Sequence, residues 1–426
     1  MMQSFNNRQF LYAVLGTAIF IRLLLMPFFS HVDLYSEMRR VFFVYENSYW
    51  LDNSHRFVVF YIELFFAAVA SVFIDITPGL FHLEDPKASV ASITEYSFFL
   101  NDPNLYRHLF FFKLPYLLFD IATAMVIWRF VDDPNNRRLA LVFWLFNPLT
   151  LFATYIFGRF EVISLFFLAY TALKLKQHQI VMASLGFAAA LLSREINLLF
   201  LPFFILATVD FKDGILQQLF RGLSLSLLVI VIYLIPDTLL TALGGNTDLF
   251  VPHSGRHEVD ALNKLLSLGY YWFYPIIICL SLLAIYAWEI RHSNHEEWYV
   301  IACGVALLVY FGFNVHSIHY ASWLMLLPIM SIQLGRQITL PLIVLSIAWI
   351  VLWLLKTDAG VFTLFLASPI NPELAHYGHF PSFYQEHFAG SGVDLHQAIQ
   401  IMRSIFLVAM IFCAYRMLIN RKHDAN

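Results

Sequence analysis

Apolar stretches long enough to cross a bilayer recur along this chain, and that recurrence restricts its fold more than any other feature. The first is FLYAVLGTAIFIRLLLMPFF, residues 10–29. A helix rises about 1.5 Å per residue, so about twenty apolar residues cross a hydrocarbon core of about 30 Å. Runs of this kind predict spans near 9–29, 109–130, 138–156, 161–174, 179–194, 196–210, 222–241, 269–288, 298–315, 319–333, 337–355 and 397–418. Only 13% of the 426 residues are charged and mean hydropathy is +0.68, whereas a soluble domain is typically about a quarter charged. The expectation is an all-α polytopic membrane protein with about 12 transmembrane helices in a single domain, residues 1–426. No internal repeat or low-complexity tract divides it. The first run is too long for a cleaved signal peptide and continues into charged sequence, so it reads as a retained first helix. A net charge of −3 suggests no nucleic-acid partner. Cys279, Cys303 and Cys413 lie in apolar runs without metal or disulfide spacing and read as small packing residues.

One apolar run, 57–80, is ambiguous, and basic residues arbitrate it. Lysine and arginine collect in the short cytoplasmic loops of membrane proteins. With the N-terminus inside and 57–80 not fully crossing, Arg137/Arg138, Lys174/Lys176, Lys212/Arg221, Arg291, Arg336 and the tail NRKHDAN all fall on one side. If 57–80 crosses, those loops move outside. Glu63 and Asp75 also make a lipid-exposed span costly. The run therefore reads as an interfacial or re-entrant helix, and segments 30–108, 242–268 and 356–396 share the outer face.

Charges at membrane depth are expensive and are candidates for function. Here they group at the outer ends of predicted spans. HVDLYSEMRR carries Asp33, Glu37, Arg39 and Arg40; FGRFEV carries Arg159 and Glu161; LLSREINLLFLP carries Arg194 and Glu195; FNVHSIHYASW carries His316, His319 and Tyr320. Each also has a plain reading. Asp33 suits a helix cap or a partner of Arg39 or Arg40. Arg194 suits a snorkelling side chain at a helix end. The two histidines suit interfacial polar residues, since a zinc site wants a third ligand. Lys113 and Asp120, seven apart, read as buried structural polar residues that contact other helices. The grouping carries more than any member. A carboxylate takes a proton from an attacking hydroxyl. Cationic side chains stabilise charge on a departing phosphate, and arginine suits bidentate phosphate contact. No Walker loop, Rossmann fingerprint or nucleophile elbow is present.

In this order and on this face, the motifs resemble those of the GT-C glycosyltransferases. The likeness is to the group with the dolichol-phosphate-glucose-dependent glucosyltransferases, the glycosylphosphatidylinositol mannosyltransferases and their bacterial relatives. FIRLLLMPFFSHVDLYSE is similar to the end of that family's first span and the acidic motif after it. KLPYLLFDIATAMVI, FWLFNPLTLFATYIFGRFEVISLFF, LLSREINLLFLP and FGFNVHSIHYASWLMLLP resemble later segments in sequence. Glu161 stands where the family has Asp or Gln, and Arg194 where it has Lys. The resemblance implies a GT-C-type fold with outer-face interfacial helices. It also implies an inverting hexosyltransferase, mannosyl or glucosyl. A polyprenyl- or dolichyl-phosphate sugar would be the donor and a glycan, glycolipid or protein the acceptor, with membrane lipids around the chain.

The residue roles follow from that likeness. Asp33 is the expected catalytic base. Glu37 and Glu161 are candidates for acceptor or metal contact. Arg194, His316, His319, Arg159 and Tyr320 are expected at the donor phosphate. Arg39 and Arg40 are left between ion-pair partners and headgroup contacts. No cofactor is required, and a divalent cation, Mg or Mn, is left open. The expected location is a bacterial inner membrane, or alternatively the endoplasmic reticulum, with the site facing periplasm or lumen. The rival reading is a polytopic lipid or solute transporter or flippase, whose polar residues would sit near the midplane between repeats.

Overall fold

In the computed structural model, residues 7–47, 57–74, 93–208, 295–313, 320–334, 336–356, 365–376 and 394–419 are described, with a few single positions between them. Among the described residues every regular element is helical and none is a strand. This suits a chain so apolar, because a helix satisfies its backbone groups internally. Among the described residues four helical stretches are long and apolar enough to cross a membrane: Asn7–Leu25, Leu105–Phe130, Pro134–Ile156 and Leu395–Leu418. Further apolar helices are shorter, among them Ile180–Ser193, Trp298–Phe311 and Thr339–Leu355. The expected spans at 222–241 and 269–288 lie outside the described residues but for isolated positions at the end of the second.

The helices are α1 (Asn7–Leu25), α2 (Val32–Asn47), α3 (Phe57–Ala70), α4 (Ile93–Leu100), α5 (Leu105–Phe112), α6 (Leu114–Phe130), α7 (Pro134–Phe146), α8 (Pro148–Leu151), α9 (Glu161–Lys176), α10 (Ile180–Ser193), α11 (Leu201–Thr208), α12 (His295–Phe313), α13 (Ala321–Met330), α14 (Thr339–Lys356) and α15 (Leu395–Ile419). Helix α9 is the hub. It packs on α6, α10, α12 and α13, and its buried residues run around the whole cylinder, from Val162 and Ile163 through Leu168 and Ala169 to Leu175. A helix apolar on every side belongs inside a bundle. Helices α14 and α15 pair at the periphery and leave Ile343, Ile347, Val408 and Ile411 exposed.

The described part of helix α3 has 14 residues, about 21 Å. It packs against α2, α5, α6 and α10. Glu63 turns inward and accepts a hydrogen bond from the Tyr116 hydroxyl at 2.6 Å, so the carboxylate that made a lipid-facing span costly is buried in protein.

Two buried residues of the second long stretch lock the bundle. Asp120 accepts from Arg22 Nε at 2.6 Å, Trp144 Nε1 at 2.7 Å and the Tyr155 hydroxyl at 2.8 Å. Lys113 donates to the carbonyls of Met26 (3.0 Å), Tyr155 (2.8 Å) and Phe29. Together they join α1, α6, α7 and the π-helical turn Phe152–Ile156, the structural role expected of them.

The chain ends of these helices sort into two layers. At one end lie the N-terminal turn of α1 and the links α6–α7 and α9–α10. There Arg138 donates to Asn7 Oδ1 at 2.7 Å, and Lys176 pairs with Asp132, which also accepts from Gln333 at 3.0 Å. At the other end lie α2, the π-turn, and the start of α9 and end of α10. Segment 365–370 is fastened to this layer by Ser30 N–H to the Leu366 carbonyl (3.0 Å) and the Tyr106 hydroxyl to the Pro369 carbonyl (2.8 Å).

Candidate functional site

The second layer gathers charged groups through local features of three segments. The first is the turn FGRFEV. Asn147 precedes a proline, sits in extended backbone and caps the following turn through Leu149 N–H at 2.9 Å. The short α8 then loosens into a π-turn over Phe152–Ile156, a widening often found at functional sites. Gly158 ends it with φ +87°, where a side chain would be strained. A Cβ on Gly158 would also lie 2.7 Å from Leu34 Cδ2, so only glycine lets the first turn of α2 approach this closely.

That approach brings Asp33 to Arg159. Asp33 lies in the first turn of α2, where a carboxylate complements the helix N-terminus. Its Oδ2 is 3.3 Å from Arg159 Nη1. His31 stacks on Phe157 with ring centres 4.0 Å apart, and its Nδ1 accepts the Asp33 backbone N–H at 3.1 Å. Asp33 is 28% exposed, whereas the Arg159 side chain is 7% exposed.

The second segment is the α9–α10 hairpin. Because the two helices are antiparallel, the first residue of α9 and the C-cap of α10 share an end. These are Glu161 and Arg194. Each charge is at the helix terminus that favours it. Glu161 Oε1 lies 3.3 Å from Arg194 Nη2 and 3.3 Å from Arg159 Nη2, so one carboxylate oxygen bridges two guanidiniums. Asn197 fixes the backbone there: its Nδ2 donates to the carbonyls of Ala190 (2.7 Å) and Arg194 (2.9 Å) and to Ser164 Oγ (2.9 Å).

The third is the start of α13. Tyr320 precedes that helix, and its hydroxyl accepts from Arg194 Nη2 at 2.9 Å. Aromatic faces support both cations. Phe160 lies under Arg159 (4.9 Å) and Arg194 (5.4 Å), and Tyr320 lies under Arg194 (5.4 Å). Burial disfavours the Arg159 charge, but Glu161 and then Asp33 more than offset this and hold the guanidinium above its ordinary pKa.

The structure thus brings together five of the expected residues: Asp33, Arg159, Glu161, Arg194 and Tyr320. Glu37 and Arg40 form their own pair one turn further along α2, at 3.4 Å. Arg39 forms an ion pair with Glu95. It is buried, and its Nη1 donates to both oxygens of Glu95 on α4, at 3.1 and 3.2 Å. Asp33 pairs with neither of these arginines. His316 and His319 lie outside the described residues. Among the described residues no group of three or more His, Cys, Asp or Glu could hold a metal ion.

Sequence reasoning passed over His31, Phe160 and Asn197. Phe160 had a usable signal, since an aromatic between Arg159 and Glu161 at a helix start is placed to underlie neighbouring cations. Chemically the arrangement offers a partly exposed carboxylate beside a buried, cation-rich wall. No protein-family model matches the chain, and no curated protein is significantly similar to it.

Proposed function

We infer that this chain is a polytopic GT-C-type glycosyltransferase with about 12 spans that moves a hexose from a polyprenyl-phosphate sugar to a hydroxyl acceptor. One observation carries the reading: a partly exposed carboxylate, Asp33, borders two buried guanidiniums, Arg159 and Arg194, that share an aromatic platform. Asp33 takes the proton of the acceptor hydroxyl as the oxygen attacks the anomeric carbon. The bond from that carbon to the phosphate oxygen breaks, and the phosphate leaves with the electron pair. The anomeric centre inverts. Arg159, Arg194 and the Tyr320 hydroxyl lower the energy of the charge that develops on the departing phosphate. His316 and His319, directly before Tyr320 in sequence, are assigned to the same phosphate.

The orientation follows from charge. Arg137, Arg138, Lys174 and Lys176 belong to the layer opposite the cluster, which supports a cytoplasmic position for them and a periplasmic or luminal one for the site. Helix α3, packed against α2, α5, α6 and α10 with Glu63 turned inward, suits a wall on that outer face.

The test is transfer from a labelled polyprenyl-phosphate hexose into glycolipids by purified protein in liposomes. Wild-type protein is expected to transfer. Asp33→Asn is expected to lose about a hundredfold or more of the rate, the usual range for a positioned base. Full activity in a normally folded Asp33→Asn protein would refute the reading.

A further inference from the structure

Glu161 is placed oddly for a residue that only balances charge. It is 1% exposed, and one of its oxygens bridges both guanidiniums of the cluster. Its other oxygen, Oε2, is buried with no hydrogen-bond partner among the described residues, and so is Arg159 Nε. A half-satisfied buried network is costly, so a carboxylate kept in it calls for an account. Among these four described residues the formal charges cancel, Asp33 and Glu161 negative against Arg159 and Arg194 positive.

We propose that Glu161 sets the charge of the phosphate this site retains, holding a singly charged phosphodiester and expelling a doubly charged phosphomonoester. The proposal rests on the phosphate-site reading above. A diester phosphate carries one negative charge, whereas a monoester carries about −1.5 to −2 at pH 7 because its second pKa is about 6. Glycosyl transfer converts one into the other. In the transfer step the total charge of the pocket does not change. A proton passes from the acceptor hydroxyl to Asp33, and the leaving phosphate keeps the electrons of the broken carbon–oxygen bond. When Asp33 then returns its proton to water, the pocket holds one more negative charge than it did with the donor. Glu161 makes that state unfavourable in a poorly screened, buried setting. It is therefore a specificity-determining and product-releasing residue, and a neutral side chain there would let the product linger.

The experiment uses the full chain in lipid nanodiscs, with a short-chain polyprenyl monophosphate and the matching polyprenyl-phosphate hexose as competing probes. At pH 7.5 wild-type protein is expected to favour the diester. Glu161→Gln is expected to shift the monoester-to-diester affinity ratio toward the monoester by about tenfold. Lowering the pH below about 6 protonates the monoester and should erase most of the wild-type preference. His31 beside Asp33 and the histidines assigned to the phosphate, His316 and His319, are common to both proteins, so the readout is the difference from Glu161→Gln, which changes little with pH. Glu161→Asp keeps the charge and is expected to restore the wild-type ratio, which a purely structural role for the longer side chain would not do. If both probes bind and Glu161→Gln keeps the wild-type ratio and pH profile, the proposal is overturned while the phosphate site stands. If neither probe binds wild-type protein, the phosphate-site reading falls, and this proposal with it.

Discussion

Two of the buried charge networks among the described residues are finished to different standards. Around Asp120 three donors converge at 2.6–2.8 Å, and neighbouring Lys113 donates to three carbonyls. Around Glu161 the contacts to Arg159 and Arg194 are 3.3 Å, as is that of Asp33 to Arg159. Each network has at least one buried guanidinium nitrogen unmet among the described residues, Arg22 Nη2 in one and Arg159 Nε in the other. Only the second also leaves a buried carboxylate oxygen unmet. The first network sits in the middle of the second long helix and ties three segments together. The second sits at helix ends beside a partly exposed carboxylate. Close, converging bonds suit a clamp. Longer contacts with an unmet guanidinium donor suit a site that makes its remaining interactions with an anionic ligand.

Removing the clamp should have the larger effect. Asp120→Ala leaves Arg22 buried without its counter-ion, and loss of one partner of a buried pair costs about 3–5 kcal/mol. A large fall in melting temperature in detergent is expected, with loss of folded protein on expression. Asp33→Asn should do the reverse: its partly exposed side chain predicts a melting temperature within a few degrees of wild type, with transfer down about a hundredfold or more. If instead Asp120→Ala is stable and Asp33→Asn unfolds, the contrast between clamp and site is wrong.

Smaller changes sharpen the boundary of the site. Tyr320→Phe removes one hydrogen bond to Arg194, about 1 kcal/mol, and should lower kcat/KM for the donor by about fivefold with little change in stability. At the far end of the bundle, Asp132→Ala breaks a pair in which the carboxylate is 65% exposed. Such surface pairs contribute about 0–1 kcal/mol, less at high salt, so transfer should be unchanged and the melting temperature nearly so. An Asp132→Ala protein with impaired transfer would mean that the two layers are coupled.

The parts of this arrangement differ in how visible they were beforehand. Apolar runs marked most of the helices, because a run of apolar side chains is a local property. Gly158 marked a turn, and Arg194 a helix end. The partners were not visible. Asp33 had two arginines within seven residues along α2, yet its ion pair is with Arg159, 126 positions away. Arg39, its near neighbour, goes to Glu95, 56 positions away. Helical spacing made the local pairings feasible, but α2 turns Arg39 toward α4, and packing of Leu34 on Gly158 brings Asp33 to Arg159. Asn197 gave no signal at all, since its role is to hold a carbonyl turn that exists only once α9 and α10 are packed.

What the sequence by itself determined is the material: helices, their approximate lengths, and a set of charges at helix ends that an apolar environment makes expensive. Those follow from composition and local spacing, which act without reference to the rest of the chain. Which charge meets which was decided only by tertiary structure. The contacts of the Glu161 cluster depend on the antiparallel α9–α10 pair and on the close approach of Leu34 to Gly158, whose φ of +87° disfavours a side chain.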